Sequence, residues 1–263
     1  MDRSTTRRAK RQYLALAILS PLTILLIWTF VTMRGGVPAI ILPSPAAVMA
    51  SLVDMAQRGY SGISMWTHIS ASLWRVGMAY AVGATLGIAV GLMRGRIAQI
   101  DALCLVPSEL VRPIPPLGLI PLFILWFGIG ELSKVLLIFL SVFLIMMVNA
   151  QAGAKSCSVD ALRAAQSMGA SPWQTFRFVV LPSGLPQIMT GLRVSMGTAL
   201  TILVASELLG GDRGLGFVIL DASSFFRTTY VFAGIVIIGF IGLLSDRGIA
   251  YLARRIVHWE GKR

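Results

Sequence analysis

Charge is scarce in this sequence, and acid is scarcest. Asp and Glu number 11 against 23 Lys and Arg in 263 residues, and charged residues make up only 13%. A soluble domain carries about 25%. With 56% hydrophobic residues and a mean hydropathy of +0.79, the chain is excluded from the soluble globular class. Cysteine is nearly absent: Cys104 and Cys157 are too few and too far apart for a disulfide framework or a thiolate metal site. His68 and His258 are isolated, so no metal site is expected. No GxxxxGK[ST] phosphate loop occurs, and no nucleophile–base pair can be assembled, which argues against an enzyme and against a nucleotide or other cofactor site in this chain.

What is present is a series of apolar runs long enough for spans of about 20 residues. The net charge of +12 is carried by basic residues at the ends of those runs rather than on one soluble face. That is the positive-inside pattern of a membrane protein and not the footprint of a nucleic-acid binder. Residues 1–12 form a basic segment with Arg3, Arg7, Arg8, Lys10 and Arg11, and 13–33 an uncleaved first span, too long for a signal-peptide core of about 7–15 residues. Residues 34–67, with Leu42-Pro43-Ser44-Pro45 and the amphipathic 46–57, are expected to form an external segment on the membrane surface.

A core is expected over 68–250. The second span carries Gly83, Gly87 and Gly91 on one face, which suits close helix contact, and Arg75 near its start, either snorkelling to the outer interface or touching a ligand. The third, about 98–127, is too rich in proline to be straight. Pro113, Pro115 and Pro116 break it just after Glu109 and Arg112, which either lock to one another or leave Arg112 to face an anionic substrate. Irregular backbone at membrane depth belongs in protein or along a wet cavity, so these residues, with Glu207 at the end of the fifth span, are candidates for a translocation path.

The fourth span is read over 135–150, the fifth over 184–208 and the sixth over 231–251, where Asp246 and Arg247 read as an interfacial pair. Gly210–Phe217 reads as a tight external turn and 251–263 as a basic tail. With roughly fifteen Lys and Arg on one side and about five on the other, both termini fall in the cytoplasm.

One polar island interrupts the apolar chain. Over 160–182, Asp160 suits a helix cap, Gly169 a left-handed closing residue, and Ser171-Pro172-Trp173-Gln174 a capping box, with Pro182 as a stop. A helix–Gly–helix elbow of this kind, cytoplasmic by the charge pattern, is shaped to be gripped by a partner outside the membrane.

Ala164-Ala165, then Gly169, then Leu181-Pro182 resembles the "EAA" loop of binding-protein-dependent ABC importer permeases. Ser72-Leu73-Trp74-Arg75-Val76, Arg112-Pro113-Ile114-Pro115-Pro116, Leu125-Trp126-Phe127-Gly128, Gly191-Leu192-Arg193 and Gly214-Leu215-Gly216-Phe217 extend the likeness across about 68–250. Together they resemble the subfamily serving taurine, alkanesulfonates, nitrate and bicarbonate, the taurine permeases most of all.

The resemblance implies a type I importer fold, all-α with six transmembrane helices, in a bacterial inner membrane. It implies two ABC ATPase subunits that use ATP and Mg, a second permease copy, an external solute-binding protein, and a small anionic substrate, taurine or a related sulfonate before nitrate, bicarbonate or an aromatic acid. Coupling to the ATPase would fall on Asp160, Arg163, Ala164, Ala165, Met168, Gly169, Trp173, Leu181 and Pro182. Arg163 stands where the family's motif has its acid, and Asp160, one turn earlier, is a substitute. The competing expectation is an ATP-independent channel or secondary transporter, which needs no elbow and ordinarily carries more acidic or His residues within its spans.

Overall fold

Backbone polar groups in hydrocarbon must be satisfied within the chain, so apolar runs of this length fold as helices. The computed structural model describes residues 3–208 and 210–259, and no strand beyond an isolated Tyr60–Ile63 bridge occurs among them. Lys262 and Arg263 of the expected basic tail, and the side chains of the N-terminal cluster from Arg3 to Arg11, lie outside the described residues.

In chain order the helices are α1 (Arg3–Met33), α2 (Pro45–Arg58), α3 (Met65–Arg96), α4 (Ala98–Val111), α5 (Ile120–Phe127), α6 (Glu131–Lys155), α7 (Val159–Ser167), α8 (Pro172–Thr175), α9 (Leu181–Leu208), α10 (Leu215–Ser224) and α11 (Thr228–Ile256). Four unbroken helices and the continuous stretch from Pro172 to Glu207 are long and apolar enough to cross a membrane, and a bent pair brings the number to six. That pair is the proline-rich third span. Ala98–Val111 and Pro116–Phe127 meet at 83°, because Pro113, Pro115 and Pro116 have no N–H to continue the ladder.

The chain divides into two units, one of residues 1–65 and 218–235 and the other of 66–217 and 236–263. In the first, Ser44 caps α2 by accepting from the Ala47 N–H at 3.2 Å, and Pro45 opens the helix, the arrangement that Pro-Ser-Pro favours. The Tyr60 hydroxyl donates to Asp221 at 2.8 Å and the Tyr230 hydroxyl to Asp54 at 2.7 Å. Burial, and then Asp221, push the Tyr60 phenol well above its ordinary pKa.

The second unit is built on α3, α6 and α9. Gly83, Gly87 and Gly91 press against α6, as their four-residue spacing requires. A Cβ on Gly87 would lie 2.7 Å from both the Met146 Cβ and the Phe143 carbonyl oxygen. Gly153 of α6 and Gly184 of α9 meet backbone to backbone in the same way, a Cβ on Gly153 falling 2.8 Å from the Gly184 carbonyl. Small residues let helices approach closely where lipid gives apolar side chains no preference for one another.

Enlarging the α3 seam should be costly. Gly87→Leu overpacks the contact and should destabilise the chain by about 1–3 kcal/mol. Gly77→Leu, on the same helix but with open space beside it, should cost less. Thermal unfolding of the two variants in detergent measures the difference.

Candidate functional site

The polar island forms the elbow. Ser158 rather than Asp160 caps α7, accepting from the Ala161 N–H at 3.3 Å, because Ser158 is the last extended residue before the helix. Asp160 already lies inside the first turn, where its charge opposes the positive end of the helix dipole. Gly169, at φ +75°, ends α7 in a double closure. Its N–H reaches the Gln166 carbonyl at 2.9 Å, and the Ala170 N–H reaches Ala165 at 3.0 Å. Ser171 and Gln174 then exchange the two bonds of a capping box, at 2.8 and 3.3 Å, with Pro172 at the first helical position.

Pro182 does not stop the second helix. A wide π turn over Phe176–Val180 precedes it, and the chain runs on into α9 with Pro182 in the first turn. The wider turn accommodates the residue that has no N–H to give.

The elbow separates outward residues from inward ones. Met168 is 80% exposed and Trp173 66%, and Asp160, Arg163 and Ala164 also face out. Ala165 is buried, so it packs within the elbow, while Leu181 and Pro182 are half-buried. Trp173 stacks on Phe176 with 5.7 Å between ring centroids, which holds the indole in its outward position.

A second constellation joins residues far apart in the sequence. Arg75 does not snorkel: its side chain is 2% exposed, and its guanidinium is divided between two carboxylates. Nε and Nη2 grip both oxygens of Glu131 at 2.5 and 2.6 Å, while Nη1 donates to Glu207 at 2.5 Å and to the Arg213 carbonyl at 3.0 Å. Glu207 is fully enclosed. It also accepts from the Ser72 hydroxyl at 2.8 Å and the Gly216 N–H at 2.8 Å. The Leu215 N–H donates to Ser72 at 2.9 Å and the Gly214 N–H to His68 Nδ1 at 3.2 Å.

The glycine-rich segment is therefore a lid on this cluster rather than a plain turn. Gly214 adopts φ +130°, and a Cβ there would sit against the Glu207 carboxylate. The available signal was Arg75 and Glu207 themselves, opposite charges in an otherwise apolar chain. Their pairing lies 132 residues apart in sequence, where no helical spacing reveals it.

Asp246 likewise pairs with Arg193 of α9, at 2.8 and 3.0 Å, and not with its neighbour Arg247; successive residues on a helix point in different directions. Of the expected path residues, Arg112 and Pro116 line a cavity of about 340 Å³ with Ser141, Ile145, Asn149 and Thr198 among its walls. Glu109 stands 4.0 Å from Arg112. Pro113 and Pro115 belong to the break, and Glu207 lies in the buried cluster instead of this cavity.

Residues 83–258 match the family described as "Binding-protein-dependent transport system inner membrane component". The chain belongs to that family. It is 41% identical to the taurine transport system permease protein TauC of Escherichia coli (strain K12), over 89% of this chain and 86% of the relative. It is 34% identical to the putative aliphatic sulfonates transport permease protein SsuC of Bacillus subtilis (strain 168), over 92% and 87%. The nitrate import permease protein NrtB of Synechocystis sp. (strain ATCC 27184 / PCC 6803 / Kazusa) is 30% identical over 84% and 82%. Among solved structures, the inward-facing MetNI methionine ABC transporter shares the fold at TM-score 0.60 and 19% identity, over 73% of this chain and 97% of that one. The type I permease fold and the inner-membrane setting expected from the sequence are thereby established.

In this permease the enclosed carboxylate needs its cation. Arg75→Gln leaves the buried Glu207 without its hydrogen-bonded ion-pair partner and should cost about 3–5 kcal/mol. Glu131→Gln removes a carboxylate whose side chain is 61% exposed and leaves Arg75 its bond to Glu207, so it should cost less than Arg75→Gln. Thermal unfolding of both variants in detergent ranks them; equal losses would contradict the division of Arg75 into a buried and an exposed arm.

Proposed function

We propose that the chain is the membrane-spanning subunit of an ATP-driven importer, forming the path for a small anion, a short sulfonate such as taurine in the first instance. The likeness to TauC and SsuC over most of the chain supports the sulfonate. In this reading two copies pair in the membrane, an external solute-binding protein delivers the solute, and two ATPase subunits consume ATP and Mg. Both termini and the elbow lie on the cytoplasmic side, which the distribution of Lys and Arg supports.

The observation that carries the reading is the elbow's form. α7 is closed at both ends and α8 is capped at its start before it runs on into α9, so Met168 and Trp173 stand exposed on a fixed frame instead of collapsing onto the permease. Large apolar side chains held out of contact in this way are what a partner's groove needs as anchors. Arg163 and Asp160 flank them with opposite charges, so the contact is polar at its margin despite the arginine in the acid's place.

The test is made on the assembled transporter in inner-membrane vesicles. Gly169→Pro removes the N–H that closes α7 and cannot adopt the φ of +75° that the position holds, and it should abolish sulfonate uptake while the chain remains in the membrane. Trp173→Ala should weaken retention of the ATPase by about 2 kcal/mol or more, read by copurification. Undiminished uptake by a stably inserted Gly169→Pro chain would refute the coupling role.

A further inference from the structure

Among the ion-paired guanidinium groups of the second unit, one is held more loosely than the rest. Arg75 is held by Glu131 and Glu207, Arg94 by Asp101 at 3.0 Å, and Arg193 by Asp246. Arg112 has only Glu109, at 4.0 Å, with both side chains more than half exposed, and a pair of that kind binds weakly. Arg112 is also the group at the break in the third span, and it opens onto the cavity of about 340 Å³, whose lining contains no carboxylate.

The remaining walls are specific in what they offer. Ile114, Leu144, Ile145 and Val148 make one apolar surface. The Asn149 amide is fixed, its nitrogen donating to the Ile145 carbonyl at 2.8 Å and its oxygen accepting from Gln187 at 3.0 Å. One N–H of that amide remains to be given. Ser141 and Thr198 donate their hydroxyl protons to the carbonyls of Leu137 and Val194, at 3.0 and 3.2 Å, so toward the cavity they present lone pairs. The cavity thus combines a forked cation and an amide donor with aliphatic surface and two hydroxyl acceptors, at a size within the roughly 300–1,000 Å³ of small-molecule sites.

We propose that this cavity is a sulfonate-binding site on the permease itself. Arg112 and Asn149 hold the sulfonate oxygens, the Ile114–Val148 surface covers a short alkyl chain, and Ser141 and Thr198 accept from an ammonium where the solute carries one. The site rests on the importer reading above and adds to it. Selection is then exercised twice, once by the solute-binding protein and again at the break in the third span.

The experiment uses the complete transporter in proteoliposomes, with ATP inside and liganded binding protein outside, following uptake of taurine and of ethanesulfonate together with ATP hydrolysis. Arg112→Gln should lower uptake of both solutes by about tenfold or more, the worth of a hydrogen bond to a charged group. Binding-protein-stimulated ATP hydrolysis should be retained, and Arg112→Lys should restore part of the uptake. Thr198→Val should impair taurine more than ethanesulfonate, since only taurine has an ammonium to lose. Wild-type uptake by Arg112→Gln, or a parallel loss of ATP hydrolysis, would overturn the site and leave the importer reading standing. Failure of the wild-type transporter to import either sulfonate would overturn both.

Discussion

A buried arginine is tolerable in an apolar helix only when its charge is answered, and Arg75 of α3 is answered by carboxylates from two other helices. Glu131 lies at the first turn of α6 and Glu207 at the last turn of α9. One side chain therefore fixes where three membrane helices meet. The cost of removing these charges from water is several kcal/mol per ion, so the arrangement acts less as a source of stability than as a determinant of register. A helix shifted by one residue along the glycine seam would strand Arg75 or Glu207 without its partner. The glycine-rich lid adds to this constraint, because its N–H groups end on Glu207, Ser72 and His68.

The other end of α3 is tied by a comparable device. Arg94 meets Asp101 of α4, and Asp101 also accepts from Gln151 and Lys155 of α6, at 2.7 and 3.1 Å. Between the two ionic ends runs the glycine contact of α3 with α6. Close packing needs small residues, whereas choosing among similar close packings needs charges, and the chain uses each for its own purpose.

The periodic and local features were legible in the sequence, because each is decided by neighbours along the chain. Gly169, Pro172 and the Ser171–Gln174 box act within one helical turn, and the prolines at 113–116 break their own helix. The elbow therefore matches its expected form in everything but the identity of its first cap, where Ser158 precedes Asp160, and the behaviour of Pro182 after the π turn. Partners distant in sequence were not legible. The sequence alone places Arg75 at the interface or on a ligand, Glu207 in the path and Asp246 beside Arg247, since composition says that a membrane charge needs an answer without saying which residue gives it.

The elbow's mounting bears on how its motion would be passed on. It leaves α6 just after Gly153 and joins α9 just before Gly184, and these two glycines are in backbone contact. The elbow is thus carried on two helices pressed together at its base, with no side chain between them to yield. A side-chain contact can absorb a small displacement by changing rotamer, but apposed backbones cannot. Movement of the elbow by a partner would move α6 and α9 as one body. The far ends of that body are Glu131 and Glu207, both held by Arg75 beneath the lid. Asn149 and Thr198, which line the Arg112 cavity, belong to those same two helices, whereas Arg112 stands on the far side of a proline break. In the proposed reading, coupling through α6 and α9 and the sulfonate contact of Arg112 lie on opposite sides of that break along the chain.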